Sequence, residues 1–362
     1  MKIALVGAGR YGKVYLDALF RNQREDAELV GVVEQNIENS PCRELLEAKG
    51  IPVYPSMGAF YRKQSADLMM LCTPPFLHAE QSIIATEYGS HVLCEKPVAP
   101  SSAECRRMLE AEEENGHFIA IGFQWSFMPA ILALKRDILD GKLGKPVLLK
   151  TLISWPRDYK YYNPNGWNGK VRFHGLLTND SIAFNACAHY IHNMLFLLGD
   201  AMDESAMPDR MEAECYRAYD IETYDTCFLR MQKGDTVMKF IASHAAKEVS
   251  NPQFDYVFEN ATVHFGEDTD KNIIATFKDG SSKNYGPVKD DMHKIDVCID
   301  AVKNGEIPPC TVKTATPHAR VIEKISARFP ATAFPEEDIV LAPDRRYVKG
   351  LFEKMCERYR ED

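Results

Sequence analysis

Gly7-Ala8-Gly9-Arg10-Tyr11-Gly12 directly follows the apolar run Lys2–Val6 and opens an amphipathic stretch from Tyr11 to Phe20. Strand, glycine turn, helix: no other feature of the chain narrows its possible folds as much. The first glycine permits a tight turn, the second lets a diphosphate approach the backbone, and the third lets helix pack on strand, with the phosphates at the positive helix end. The pattern alone is weak, but Glu34 at the end of the next apolar run, LVGVV, completes a dinucleotide signature. A carboxylate there accepts hydrogen bonds from ribose hydroxyls and repels a 2′-phosphate, so NAD is expected over NADP. Gln35 and Asn36 carry no positive charge, whereas Arg10 is close in sequence and keeps NADP in play.

Short apolar runs and helical stretches continue to alternate up to about Gly122: DLMMLCT then His78 to Tyr88, HVLCEK then Ser102 to Asn115, and finally FIAIG. Such βαβ repetition implies a parallel sheet. Ser101 followed by Glu104 is a capping signature, which puts Glu95-Lys96-Pro97 in a loop at the carboxyl edge of that sheet, where ligands bind. Beyond Gly122 the texture changes. A helix near Pro129 to Leu139, the strand PVLLKTLIS and an aromatic loop from Trp155 to Gly175 precede one helix expected over Ser181 to Leu198, ended by Gly199 as a C′ glycine. Strand-like segments from Met211 to about Phe277 read as a largely antiparallel sheet, and helices near Met292 to Lys303 and Thr316 to Arg328 follow, with Pro308, Pro309 and Pro317 as punctuation. The expectation is an α/β protein: a Rossmann domain at 1–122, then at 123–362 an α+β domain with an open sheet. A length of 362 residues suits two domains.

Composition excludes several classes. The charge balance is 43 Lys+Arg against 52 Asp+Glu, net −9, with no basic stripe, which argues against a nucleic-acid surface. No apolar run approaches the ~20 residues of a membrane span. Ten cysteines are scattered without a C-x-x-C pair, so reduced thiols in a cytoplasmic protein are expected rather than disulfides, and no metal site is indicated.

Asn185, His189 and His192 are spaced by four and three, which places them on one helix face. They read either as buried residues bonded to neighbouring loops or as a proton-handling imidazole with its companions. The loop from Trp155 to Gly175 carries Trp155, Arg157, Asp158, Tyr161, Tyr162, Trp167, Lys170 and His174. Aromatic faces with polar neighbours would suit a sugar or cyclitol, with Tyr162 and Trp167 as candidate contacts; packing over the second domain's sheet is the alternative.

GAGRYG, TPPFLHAE at 73–80, CEKPVAP at 94–100, the N-x-x-x-H helix ending in LFLLG, and YDTCFLRM together resemble the Gfo/Idh/MocA family of nicotinamide-dependent oxidoreductases, which includes glucose-fructose oxidoreductases and inositol dehydrogenases. The resemblance covers nearly the whole chain. It implies cofactor contacts at Gly7, Gly9, Arg10, Tyr11, Gly12, Glu34, Thr73, Pro74, His78, Glu95, Lys96 and Pro97, and a dimer or tetramer formed through the open sheet. It places Lys96 beside the nicotinamide and the substrate hydroxyl, and gives His189 the proton transfer. The sequence departs from the family where its D-x-x-x-H aspartate is Asn185, and where an acidic residue three after the histidine is His192. An aspartate beside the imidazole would raise its pKa by roughly one to three units, which an amide does not do, so His189 is expected to be a weaker base or Lys96 to carry more of the transfer. The implied activity is NAD-dependent interconversion of a secondary alcohol and a ketone on a sugar, sugar derivative or cyclitol. Two other readings compete: an enzyme with tightly bound NAD that oxidises transiently to drive elimination or glycoside cleavage, and a non-catalytic dinucleotide-dependent regulator. Intact Lys96 and His189 speak against the last.

Overall fold

The computed structural model describes residues 1–289 and 292–361, and the chain divides into two units. In the first, Lys2–Val6 (β1), Glu28–Val33 (β2), Val53–Tyr54 (β3), Leu68–Leu71 (β4), His91–Cys94 (β5) and Ile119–Ile121 (β6) form a parallel sheet in the order β3-β2-β1-β4-β5-β6. The chain order reverses beside β1, the switch point at which open sheets of this type bind ligands. The strands are apolar because β4 and β6 are wholly buried and β1 and β5 nearly so, as parallel sheets with helices on both faces require. Helices Arg10–Arg21 (α1), Arg43–Lys49 (α2), Met57–Tyr61 (α3), His78–Glu87 (α4) and Ser102–Asn115 (α5) connect them. The capping signature operates: Ser101 Oγ accepts from the Glu104 N–H at 3.3 Å and donates to Glu104 Oε2 at 2.9 Å.

This unit comprises residues 1–127 together with 290–316, whereas the sequence division at 122/123 assigned everything from 123 onward to a second domain. Burial explains the difference. The helix His293–Asn304 buries Ile295, Cys298 and Ile299, and the Ile121 N–H donates to the Cys310 carbonyl at 2.9 Å, extending the edge at β6.

The second unit comprises residues 128–289 and 317–362. It contains Pro129–Leu139 (α6), Pro146–Ser154 (β7) and Ala188–Leu197 (α7), followed by Arg210–Arg217 (β8), Thr226–Lys233 (β9), Thr236–Ser243 (β10), Ser250–Phe258 (β11), Ala261–Phe265 (β12), Asn272–Phe277 (β13), Ser282–Pro287 (β14) and Thr332–Ala333 (β15). Among the described residues these strands form an open sheet ordered β14-β13-β12-β11-β7-β10-β9-β8-β15, antiparallel except that β7 runs parallel to β10 and β8 to β15. All ten residues of α7 are buried, so it is a core helix without a solvent face. Asn193 Nδ2 ties it to the sheet by donating to Tyr256 Oη at 3.2 Å. Lys135 of α6 is also fully buried; its Nζ lies 3.7 Å from the Phe196 ring centroid and donates to the Glu204 carbonyl at 2.5 Å.

Three sequence expectations are corrected here. The expected single helix from Ser181 to Leu198 is a π-type turn, Ile182–Ala186, joined through Cys187 to α7, with Ser181 Oγ accepting from the Phe184 N–H at 3.2 Å. Gly199 is not a left-handed cap. A Cβ there would lie 2.0 Å from the Glu204 carbonyl oxygen, so the residue is small because the returning chain passes against it. The helix expected from Thr316 to Arg328 begins earlier, at Val312, so Pro317 lies within the helix rather than in its first turn. The cysteines are free thiols, nearly all of them buried. No helix among the described residues is long and apolar enough to cross a membrane.

Candidate functional site

The turn after β1 is built for close approach. Gly7 sits at φ +90°, and a Cβ on it would meet the Cys72 carbonyl at 3.0 Å; one on Gly12 would lie 2.0 Å from the Gly7 carbonyl oxygen, so α1 packs this near β1 only without a side chain. Around Gly9 the space is open. Gly9 caps α1 without a side-chain bond, and Arg10 and Tyr11 form an exposed first turn that holds no acidic residue. The first N–H groups of the helix are thus presented to solvent, where an anion adds to the favourable helix field. Glu34 directly follows β2, its Oε2 accepting from the Ala8 N–H at 2.8 Å and its Oε1 from the Asn36 N–H at 2.9 Å. Each oxygen keeps a second acceptor site for a ribose hydroxyl. These residues therefore fit an NAD-type dinucleotide. Glu34→Ala is expected to lower the ratio of kcat/KM with NAD to that with NADP by ~10-fold or more, the scale of a hydrogen bond to a charged group; an unchanged ratio in paired kinetics would remove Glu34 from cofactor choice.

At the carboxyl ends of β4 and β5 two loops are tied together. Thr73 Oγ1 donates to Gln81 Oε1 at 2.6 Å, and Pro74 begins the turn that leads into α4. The His78 ring, fully buried, spans from the Thr73 carbonyl at Nε2 to the Pro97 carbonyl at Nδ1, 2.9 Å each. Burial lowers its pKa, and the neutral ring, with a single N–H, donates to one of these two carbonyls. The Lys96–Pro97 peptide is cis.

Beneath Lys96 lies a buried constellation around Glu95, whose partners Tyr15 and Lys294 the sequence did not single out. Glu95, 5% exposed, accepts at Oε1 from both Tyr15 Oη at 2.5 Å and Lys294 Nζ, and at Oε2 from the Lys96 N–H at 3.1 Å. The Lys294 side chain has no exposed surface, and its ammonium lies 5.1 Å from the Tyr15 ring centroid and 5.5 Å from that of Tyr11. Burial, followed by the Glu95 charge, pushes the Tyr15 phenol well above its ordinary pKa, so it remains a donor. A side chain on Gly122 would intrude, since a Cβ there would lie 2.9 Å from Glu95 Oε1. The start of the Lys96 loop is thereby anchored to a paired charge.

In the second unit, His189 is the second residue of α7, 8% exposed, with its ring centroid 6.3 Å from that of Tyr190. Asn185 lies in the π-type turn, and its Nδ2 donates to Asp180 Oδ1 at 3.0 Å. Asp180, 1% exposed, also accepts the Gly169 N–H at Oδ2, 2.6 Å away. A carboxylate absent at 185 is therefore present one hydrogen bond away, at a position the N-x-x-x-H spacing does not point to. His192 is not a companion of this group: it is fully buried, stacked 5.9 Å from Phe196, and held well below its ordinary pKa by burial and then by His318 and Lys135.

In the aromatic loop, Tyr162 takes the packing alternative: it packs 4.8 Å from Tyr219 within a core cluster and is bonded at Oη to His244 Nδ1 at 2.7 Å. Trp167 is half-buried in the same loop, where its carbonyl accepts the Lys170 N–H at 3.2 Å.

A family model described as an oxidoreductase family with an NAD-binding Rossmann fold, GFO_IDH_MocA, matches residues 1–123. The 2,7-anhydro-N-acetylneuraminate hydratase of Mediterraneibacter gnavus is 27% identical over 235 residues, 64% of this chain and 58% of that protein. An inositol 2-dehydrogenase of Klebsiella pneumoniae is 29% identical over 151 residues, 41% of this chain and 44% of that protein. The chain thus spans about half the length of these curated relatives. Among solved structures, the WlbA dehydrogenase from Bordetella pertussis, in complex with NADH and UDP-GlcNAcA, superposes with a TM-score of 0.73 over 90% of this chain and 95% of that one. At 22% identity this likeness establishes the fold.

Proposed function

We propose, on the premise that the amino-terminal domain belongs to the Gfo/Idh/MocA oxidoreductase family, that the protein is an NAD-dependent oxidoreductase interconverting a secondary alcohol and a ketone on a sugar, sugar derivative or cyclitol. The observation that carries this reading is the pairing of a dinucleotide cradle, Gly7 to Gly12 with Glu34, with a lysine loop anchored through buried Glu95 on the same sheet. The nicotinamide, when bound, supplies hydride acceptance and return. Lys96, as an ammonium, stabilises the alkoxide that develops as the substrate hydroxyl loses its proton. His189 takes that proton, and Asn185 and Asp180 orient the polar side of the site around it. The inositol dehydrogenase relative supports a polyol-type substrate, and the unit at 128–289 would carry substrate recognition and self-association into a dimer or tetramer.

A second reading retains NAD tightly and oxidises transiently around an elimination. The hydratase relative favours it, because hydration has no net redox change, as does the amide at position 185. Incubating the protein with NAD and a panel of polyols, sugars and glycosides, while following NADH absorbance and product, separates the two. Net NADH supports the dehydrogenase; product without net NADH supports transient oxidation. Tight NAD binding with no turnover of any compound would overturn both in favour of a regulator.

A further inference from the structure

The loop after β7 contains a positive charge that pairs with no carboxylate among the described residues. Arg157 is fixed through its backbone, its N–H donating to the His244 carbonyl at 3.1 Å and its own carbonyl accepting from Tyr219 Oη. Its guanidinium carbon lies 4.9 Å from the Tyr161 ring centroid and 5.8 Å from that of Trp155, so aromatic faces set its position. Its Nε is buried without a hydrogen-bond partner, and no carboxylate among the described residues pairs with it.

A second donor beside it is also unanswered. His244 is 1% exposed; its Nδ1 is bonded to Tyr162 Oη, and its Nε2 has no partner. The phenol has no other acceptor, so it donates to Nδ1 and the ring proton resides on Nε2. Burial and the charge of Arg157 both keep the imidazole neutral. A buried donor without an acceptor is costly in the free protein, and the cost is relieved when an anion arrives. Both groups lie in the same unit as His189 and Asn185 and are linked to them through packed aromatic rings. Trp155 packs edge-on to Tyr190, the residue after His189, at 5.9 Å, and the Tyr161 phenol is pushed up in pKa by burial and then by the charge of Asp180, which accepts from Asn185.

We propose that Arg157 anchors a carboxylate on the substrate, so that the substrate class is a sugar acid or cyclitol acid rather than a neutral polyol. The planar guanidinium fork matches a planar carboxylate. A single cation with Asp180 nearby suits a monoanion better than a phosphate dianion. The proposal rests on the oxidoreductase reading of the same site and sharpens it.

The test uses the full chain saturated with NAD and measures, by calorimetry, the Kd of uronates, aldonates and cyclitol acids against their neutral counterparts and the matching sugar phosphates, with NADH formation followed in parallel. At least one acid is expected to bind ~10–100-fold more tightly than its neutral counterpart, the range of a charge-assisted hydrogen bond. Arg157→Gln is expected to erase that preference by raising the Kd of the acid, while Arg157→Lys restores part of it. Equal binding of acid and neutral compound, tighter binding of the phosphate, binding of no acid at all, or a preference untouched in Arg157→Gln would each overturn the proposal. Should Arg157→Gln fail to fold, the acid-to-neutral ratio of the unmodified protein and its decline with added salt still decide the matter. Acid binding without NADH or other product supports the anchor and counts against the oxidoreductase reading; NADH from neutral sugars with no charge preference does the reverse.

Discussion

Lys96→Ala and His189→Ala each lower turnover by at least ~100-fold, the contribution of a positioned proton-transfer group or of a charge aimed at a developing oxyanion, while NAD binding changes little. Most lysines on loops are solvated cations whose removal costs almost nothing. Lys96 differs because its own N–H is bonded to Glu95, and Glu95 is fixed by Tyr15 and Lys294, so its backbone is held at the sheet edge beside the dinucleotide turn. His189 differs from an ordinary core histidine by its place at the start of α7, next to a turn whose Asn185 and Asp180 are hydrogen-bonded to each other. Steady-state kinetics on whichever substrate the panel identifies, with NAD titrations by fluorescence on the same preparations, separates chemistry from binding. Unimpaired turnover in either variant removes that residue from the mechanism, and a parallel loss of NAD affinity reassigns it to cofactor binding.

What the sequence disclosed and what it hid follow from the distance over which each feature is determined. The Gly7 to Gly12 turn, Glu34 at the end of β2 and the start of α5 at Ser102 are local events, fixed by sterics and capping within a few residues, and the structure has them where the sequence put them. The helix carrying His189 was legible as a helix, but its π-type turn was not: apolar periodicity averages over the extra residue that displaces Asn185 from the register of α7. Asp180 was hidden because it precedes the Ser181 cap and belongs to no helical face. Gly199 showed a glycine but not its reason, which lies in the chain returning at Glu204. Lys294 left no trace at all, since its partner is 199 residues away and a lysine in an amphipathic helix ordinarily points to water.

That same lysine carries the largest expected effect on stability. Lys294→Met keeps the length and apolar stem of the side chain but removes the ammonium, leaving the Glu95 carboxylate buried with only Tyr15 and the Lys96 N–H as donors. Deleting one member of a buried ion pair costs about 3–5 kcal/mol, because the remaining charge stays desolvated without its counter-charge. The loss belongs to the unit that contains the dinucleotide turn, so it should be read from denaturation of that unit, followed by whether NAD still protects it, rather than from a single transition assumed for the whole chain. Adding Glu95→Gln to Lys294→Met removes the orphaned charge and is expected to return most of the lost stability, a coupling of at least ~1–2 kcal/mol in a double-mutant cycle. Activity should not return with it. The amide restores a neutral, packed interior beneath the loop, but it puts an NH₂ where either the Tyr15 hydroxyl or the Lys96 N–H now finds an acceptor, so the backbone of Lys96 loses its charged anchor. A double variant as active as the unmodified protein would show that the buried pair serves folding alone; additive stability losses would show that Glu95 and Lys294 do not answer one another.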